Sequence, residues 1–413
     1  MSQIKFMRRN LSSMIALTAD PVVERRALLV ILIVAAVLRL ALAPVVAGHV
    51  GYLPDVLSYR GIAADMLAGR LIENDLGMPG YPIMILLTGG GGLGQLLADI
   101  AFSVLAVWCI ARITKEITGD ALAGLLAAFL WTVYPFSIFY AVTGLSETFF
   151  VTLFLLGFLG YQRGKFTLGS TAMVAAILTR PSIEPLTPIL ILTFALVVHR
   201  LSFRAAMKHL GIFAAIYVVL MAPWWWHNYE KYGRFVRLNL GSGMVLYSGN
   251  HAGNIDGGGV NFNLDIPGYY DIQDIVERDR VLRDAALRFI AENPGRFVEL
   301  AGLKFMRIWR PWPYAAEYSS TFLSVVSAAS FMPILLLAFA GAYMGARRYG
   351  AKLIPIGLFI GYTTAVHMVT IGSLRYRFPM EPFLVILAAP PLAWLVRHFL
   401  QSDGSAVAAK GRL

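Results

Sequence analysis

The sequence predicts an all-helical protein that crosses a membrane about ten times, and three observations carry that expectation. Of its 413 residues, 58% are hydrophobic and 14% charged, against roughly 25% charged in soluble globular chains. The apolar residues gather in runs long enough to cross a hydrocarbon core, which takes roughly 20 residues. The basic residues lie between those runs and never cluster on one polar domain, so the net charge of +11 reads as membrane orientation and no nucleic-acid partner is expected.

The first run, 27–47, follows a polar, basic start; it is too long for a signal-peptide core and lacks a cleavage site, so it is expected to be retained as a span. Further runs fall at 93–113, 120–140, 147–161, 168–180, 183–198, 209–226, 323–345, 353–371 and 381–399. An even count puts both termini on one side. Segments on the side of the N-terminus hold 18 of the 35 basic residues, among them Lys5, Arg8, Arg9, Arg112, Arg163, Arg347 and Arg412. Short loops on the other side hold five, so both termini are expected in the cytoplasm.

Two segments then lie outside. In 48–80, Val56, Tyr59, Ile62, Ala63, Met66 and Leu67 recur at helical spacing, as in a helix lying on the membrane surface. Segment 227–322 is a small polar loop domain that ends in two amphipathic helices parted at Asn293-Pro294-Gly295. The expected division is a membrane module over 1–226 that includes the first outer loop, the loop domain over 227–322, and closing membrane helices with a short tail over 323–413. Cys109 is the one cysteine, which excludes a disulfide frame and a cysteine-based metal site.

On this topology the unusual polar residues gather at the outer ends of the spans: Asp55, Glu147, Arg180, His227, Asn228, Lys304, Arg307, Arg375 and Arg377. Ionisable groups at membrane depth are costly and mark functional sites. The motifs that contain them are RYRFPMEPF at 375–383, LTRP at 178–181, PWWWHNYEKYGRF at 223–235, Pro135-Phe136 with Tyr140 and Ser146-Glu147, and Asp55-x3-Tyr59-x3-Ala63. Together, in this order over nearly the whole chain, they resemble the GT-C integral membrane glycosyltransferases. The similarity is to the branch with the protein O-mannosyltransferases and the lipid A aminoarabinose transferases. Two departures are one acidic residue, Asp55, at the position where several relatives show an acidic pair, and no soluble domain expected after the last span.

The resemblance implies that Asp55 is the catalytic base, and the chemistry suits it: an acceptor hydroxyl loses a proton as it attacks the anomeric carbon. The alternative is an aspartate capping the surface helix, with Asp65 as substitute base. A lipid-phosphate leaving group gains negative charge, for which the forks of Arg375 and Arg377 are matched; the alternative is a pair of snorkelling arginines. Lys304 and Arg307, one turn apart, are either a second phosphate contact or part of an interfacial belt with Trp309 and Trp312. Glu147 is expected to bind sugar hydroxyls or a cation such as Arg180, or to sit at its helix N-terminus for the dipole. Tyr59, His227 and Asn228 complete the substrate-side candidates.

Other signals are weaker. The glycine run 89–94 lacks the Lys-Ser/Thr of a phosphate loop. His49, His227, His251 and His367 match no ligand spacing, so no metal or other cofactor is expected. Arg39 and Asp99 lie inside spans and need interhelical partners. The resemblance implies a polyprenyl-phosphate-linked monosaccharide donor, an acceptor that is a glycan, lipid or protein, and an active site on the outer face of the cytoplasmic (inner) membrane. The rivals are a polymerase or ligase of lipid-linked oligosaccharides and a lipid or polysaccharide transporter; the transporter reading expects polar groups at mid-membrane and paired halves.

Overall fold

A computed structural model describes residues 20–50, 53–259, 264, 266–314 and 320–410. The expected inner-side residues Lys5, Arg8, Arg9 and Arg412 lie outside the described residues. Those described are helical with no strand among them. In chain order the helices are α1 (Pro21–Val50), α2 (Pro54–Leu67), α3 (Gly80–Leu87), α4 (Gly92–Thr118), α5 (Ala121–Val133), α6 (Pro135–Val142), α7 (Glu147–Gln162), α8 (Phe166–Thr179) and α9 (Leu186–Leu192). They continue with α10 (Phe203–Tyr232), α11 (Ser242–Gly249), α12 (Ile275–Glu292), α13 (Pro294–Trp309), α14 (Thr321–Arg348), α15 (Ile354–Val369), α16 (Leu374–Arg377) and α17 (Glu381–Lys410).

Six helices are long and apolar enough to cross a membrane: α1, α4, α10, α14, α15 with the turn before it, and α17 with the short helix before it. The run predicted as one span at 120–140 is two helices, α5 and α6, bent by 58°. Pro135 causes the bend, because it has no N–H to donate and forces Tyr134 out of the helical region, where Tyr134 takes φ −69° and ψ 121°. The runs at 147–161, 168–180 and 183–198 form shorter apolar helices. The 16 residues of α7 span only about 24 Å at 1.5 Å each, short of a hydrocarbon core of about 30 Å.

Local chemistry sets the helix ends. Asp120 starts α5 by accepting from the Leu122 and Ala123 amides (3.0 and 3.4 Å), and Ser202, Asp274 and Ser320 cap α10, α12 and α14 in the same way, satisfying donors that helix geometry leaves free. The predicted break at Asn293-Pro294-Gly295 separates α12 from α13.

The core is aromatic and joins α7, α15, α17 and the helical turn after α9. Phe154 stacks on Phe359 at 4.2 Å, and Phe158 meets Phe194 and Phe383 at 5.0 Å each. Arg39, fully buried on α1, finds hydroxyls and carbonyls: it donates to Ser103 (2.6 Å), Ser137 (3.0 Å), and the carbonyls of Ala35 and Thr132. It therefore pins α1 to α4 and to both sides of the Pro135 bend.

Polar side chains mark the two ends of the bundle. At one end Glu24 holds Arg112 and Lys115, Glu116 holds Arg163, Asp120 holds Arg397, and Lys352 donates to the Glu116 carbonyl. At the other, α2, the start of α7, the end of α8 and α16 converge under the loop segment.

Candidate active site

Asp55 is the second residue of α2, after Pro54. Its carboxylate makes no capping bond to its own helix; it pairs with the Nη1 of Arg375 and remains half-exposed. One turn on, Tyr59 packs edge-on against Tyr81 at 5.1 Å, and its hydroxyl lies 3.1 Å from the Ser146 hydroxyl. Burial, then the nearby Glu147 charge, pushes the Tyr59 phenol above its ordinary value.

Glu147 opens α7 and is fully buried. Its Oε1 accepts from the Nε of Arg375 and lies 3.3 Å from the Nη1 of Arg180. Its Oε2 has no hydrogen-bond partner among the described residues. Such an atom is rare in a folded protein and calls for a ligand or a water.

Arg180 ends α8 in an extended conformation (φ −140°), which Pro181 enforces. Its guanidinium lies between Phe150 and Tyr376, 5.9 and 6.0 Å from the ring centres. Arg375 follows Ser373, whose hydroxyl accepts the Arg375 amide at 3.3 Å. Two carboxylates and two guanidiniums from four separate elements thus meet at one point.

The other expected residues go elsewhere. Arg377 is fully buried and bonds Glu381 at 2.7 Å and the Arg310 carbonyl at 2.6 Å, with its guanidinium 3.6 Å from the Phe331 ring centre. The RYR stretch is helical, and residues two apart on a helix point to nearly opposite sides, so the pair expected to act together is split. Lys304 lies on the buried face of α13 and donates to Asn250 Oδ1 (2.9 Å) and the Val369 carbonyl (3.3 Å); burial pushes its pKa down to about 8. Arg307 holds Asp256 at 2.7 Å, the Gly372 carbonyl at 3.2 Å, and stacks over Tyr314 at 3.8 Å. Both brace the loop segment against 369–372, where a Cβ at Gly372 would meet the Lys304 backbone at 2.6 Å.

Asn228 donates to the carbonyls of Val236 (2.8 Å) and Leu238 (2.9 Å), joined by the indoles of Trp224 to Leu238 (2.8 Å) and Trp225 to Arg237 (2.9 Å). The tryptophan motif is a clamp on residues 236–238. His227 packs on Trp224 at 5.1 Å and does not reach the site. Asp65, the substitute base, is buried and bonds Arg70 at 2.9 Å; that bond holds its carboxyl below the usual range.

A cavity of about 660 Å³ opens beside the charged cluster. Tyr59, Arg180, Tyr376 and His367 line it on the cluster side, and Arg237 and Asn239 on the loop side. Its lining includes two arginines and no carboxylate; each arginine is paired with a carboxylate outside the lining, Arg180 with Glu147 at 3.3 Å and Arg237 with Glu184 at 3.2 Å. An apolar groove of about 600 Å³ between α9 and α15 shares Tyr362 with it, and the Tyr362 hydroxyl donates to the Ser182 carbonyl at 2.7 Å. Arg237 and Tyr376 were not singled out from sequence, and His367 was weighed there only as a metal ligand. Tyr376 had a signal, since it stands between Arg375 and Arg377; Arg237 had none. Among the described residues no group of three or more His, Cys, Asp or Glu side chains converges on a metal site.

No family model matches the chain. It is 34% identical over 82 residues to a dolichol phosphate-mannose mannosyltransferase of Haloferax volcanii, a stretch covering 20% of this chain and 18% of that protein. Among solved structures, the archaeal oligosaccharyltransferase AglB of Archaeoglobus fulgidus, in complex with an inhibitory peptide and a dolichol-phosphate, aligns with 92% of this chain at TM-score 0.53 and 12% identity. Its apo form aligns at 0.54. The chain spans about half the length of that protein, 52%. ArnT of Cupriavidus metallidurans bound to undecaprenyl phosphate aligns at TM-score 0.46 and 18% identity, over 91% of this chain and 63% of that one. The fold over most of the chain is that of the archaeal oligosaccharyltransferase.

Proposed function

We propose that the protein transfers a monosaccharide from a polyprenyl-phosphate carrier to an acceptor hydroxyl at the outer face of the cytoplasmic membrane, with both termini in the cytoplasm. The observation that carries this reading is the meeting of Asp55, Glu147, Arg180 and Arg375 beside an arginine-lined cavity that shares Tyr362 with an apolar groove between α9 and α15. A lipid with an anionic head and a sugar beyond it has the matching sequence of chemistries.

Each residue then has a task. The carrier chain lies in the groove between α9 and α15, and Arg180 faces the phosphate. The free Oε2 of Glu147 accepts a sugar hydroxyl. Asp55, the most exposed of the four, takes the acceptor's proton as its oxygen bonds to the anomeric carbon. The bond from that carbon to the phosphate oxygen breaks, and the carrier leaves as a monophosphate whose new charge the guanidinium stabilises more than it does the ground state. The stereochemistry is a single inversion.

The Asp55 carboxylate that would meet the acceptor hydroxyl is held by Arg375. The incoming phosphate is a competing anion for its guanidinium, so donor binding frees Asp55 and donor precedes acceptor. A donor panel tests the function: purified protein in vesicles receives polyprenyl-phosphate monosaccharides labelled in the sugar, a diphosphate-linked oligosaccharide, and membrane extract as acceptor source. Consumption of a monophosphate donor with label passing to the extract is expected. Consumption of the diphosphate-linked donor alone makes the protein a ligase or polymerase instead.

A further inference from the structure

Asp55 and Glu147 stand on different elements, α2 and the turn that opens α7, and their separation decides whether the cluster functions. Gln95, in the first turn of α4 and 1% exposed, is hydrogen-bonded to both elements. Its Oε1 accepts from the Arg60 Nε of α2 at 2.9 Å. Its Nε2 donates to the Gly144 carbonyl, three residues before Glu147, at 3.3 Å, and to the Tyr81 hydroxyl of α3 at 3.0 Å. Tyr81 in turn donates to Asp99 Oδ2 at 2.7 Å.

The polarity of this chain is fixed throughout. Arginine only donates, so the amide oxygen must face Arg60 and the amide NH2 must face Tyr81 and Gly144. The Tyr81 oxygen then accepts from Gln95, and its proton goes to Asp99. Gly144 adopts φ +73°, and a Cβ there would lie 3.1 Å from the Gln95 Nε2 and 3.4 Å from Val56 of α2. The turn is thus pressed against both Gln95 and the helix that carries Asp55. On α2, Arg60 lies five residues beyond Asp55, or about 140° around the helix axis. The helix is therefore held by Arg375 on one side and by Gln95 on another.

We propose that Gln95 is a positioning residue that sets Asp55 and Glu147 in register through Arg60 and Gly144; this rests on the transferase reading above. It touches no substrate. Reacting groups misplaced by about 1 Å lose roughly a hundredfold in rate. Gln95→Met keeps the volume and loses all three bonds, and should lower kcat about 10- to 100-fold with a smaller rise in donor KM, since Glu147 also holds the donor sugar. Gln95→Glu should be no better than Gln95→Met, because its second oxygen would face the Gly144 carbonyl.

The experiment measures kcat and donor KM for these variants and for Arg60→Leu and Arg60→Lys, in reconstituted protein normalised to its folded fraction. The Arg60 pair changes a half-exposed side chain, so it remains readable if the buried variants fail to fold. Arg60→Leu should reproduce the kcat loss and Arg60→Lys, which can still donate to Gln95, should restore most of it. Unchanged kcat in Arg60→Leu, a loss confined to donor KM, or equal losses in Arg60→Leu and Arg60→Lys would overturn the assignment. Wild-type protein that consumes no donor would instead remove the transferase reading beneath it.

Discussion

Asp55 and Arg377 show how far single residues can be read from their neighbours in the chain. An aspartate after a proline at a helix start suggests a cap, yet the Asp55 carboxylate goes to Arg375 and makes no capping bond. Asp55→Asn and Asp55→Ala should therefore leave thermal stability nearly unchanged, where a lost cap would cost about 1 kcal/mol. Arg377 behaves in the opposite way. Arg377→Ala leaves Glu381 buried without its cation and should cost about 3–5 kcal/mol, read as a large drop in melting temperature. Lys304 adds a pH signature. Its folded pKa of about 8 lies below the roughly 10.4 of a free lysine, so between those values the unfolded state binds more protons and stability rises with pH. Melting curves from pH 7 to 10.5 should show the wild type gaining on Lys304→Met across that window; parallel curves would mean that Lys304 is not held in a desolvated site.

Element by element, periodicity and turn chemistry were legible and packing was not. The helix at Pro54–Leu67, the break at Asn293-Pro294 and the apolar runs follow from spacing and proline, which act locally. Asp55, Glu147, Arg180 and Arg375, which the fold brings together, were legible because an ionisable group at a span end stands out against lipid, and Tyr59 because of its motif. His227, Asn228, Lys304 and Arg307 stood out for the same reason, but sequence does not tell which face of a helix meets the cavity and which meets a neighbouring loop. The tryptophan clamp is a case in point, since indole bonds to the carbonyls of 237 and 238 leave no trace in sequence. Loosening it should disturb the cavity wall without touching the charged cluster. Asn228→Ala is expected to speed hydrogen exchange over 236–238 and to raise donor KM with little change in kcat; unaltered exchange there would take the clamp out of the account.

For the whole molecule, the two polar ends of the bundle are the feature that joins fold to function. Basic side chains pair with Glu24, Glu116 and Asp120 at one end, and the Asp55 cluster lies at the other. On the topology proposed above, the first end faces the cytoplasm. On a Cys109→Ser background, a cysteine at Gly253 should react with an impermeant reagent in intact cells and one at Gly164 should not; the reverse pattern would leave the cluster facing the cytoplasm. The central claim, that Asp55 drives sugar transfer from a polyprenyl monophosphate, is tested most directly by one comparison. Wild-type and Asp55→Asn protein are incubated in vesicles with the same labelled polyprenyl-phosphate sugar and acceptor extract, and released polyprenyl phosphate is measured. Asparagine keeps the shape but cannot take the proton, so release should fall by roughly 10² to 10⁴. Equal release by the two proteins would contradict the account.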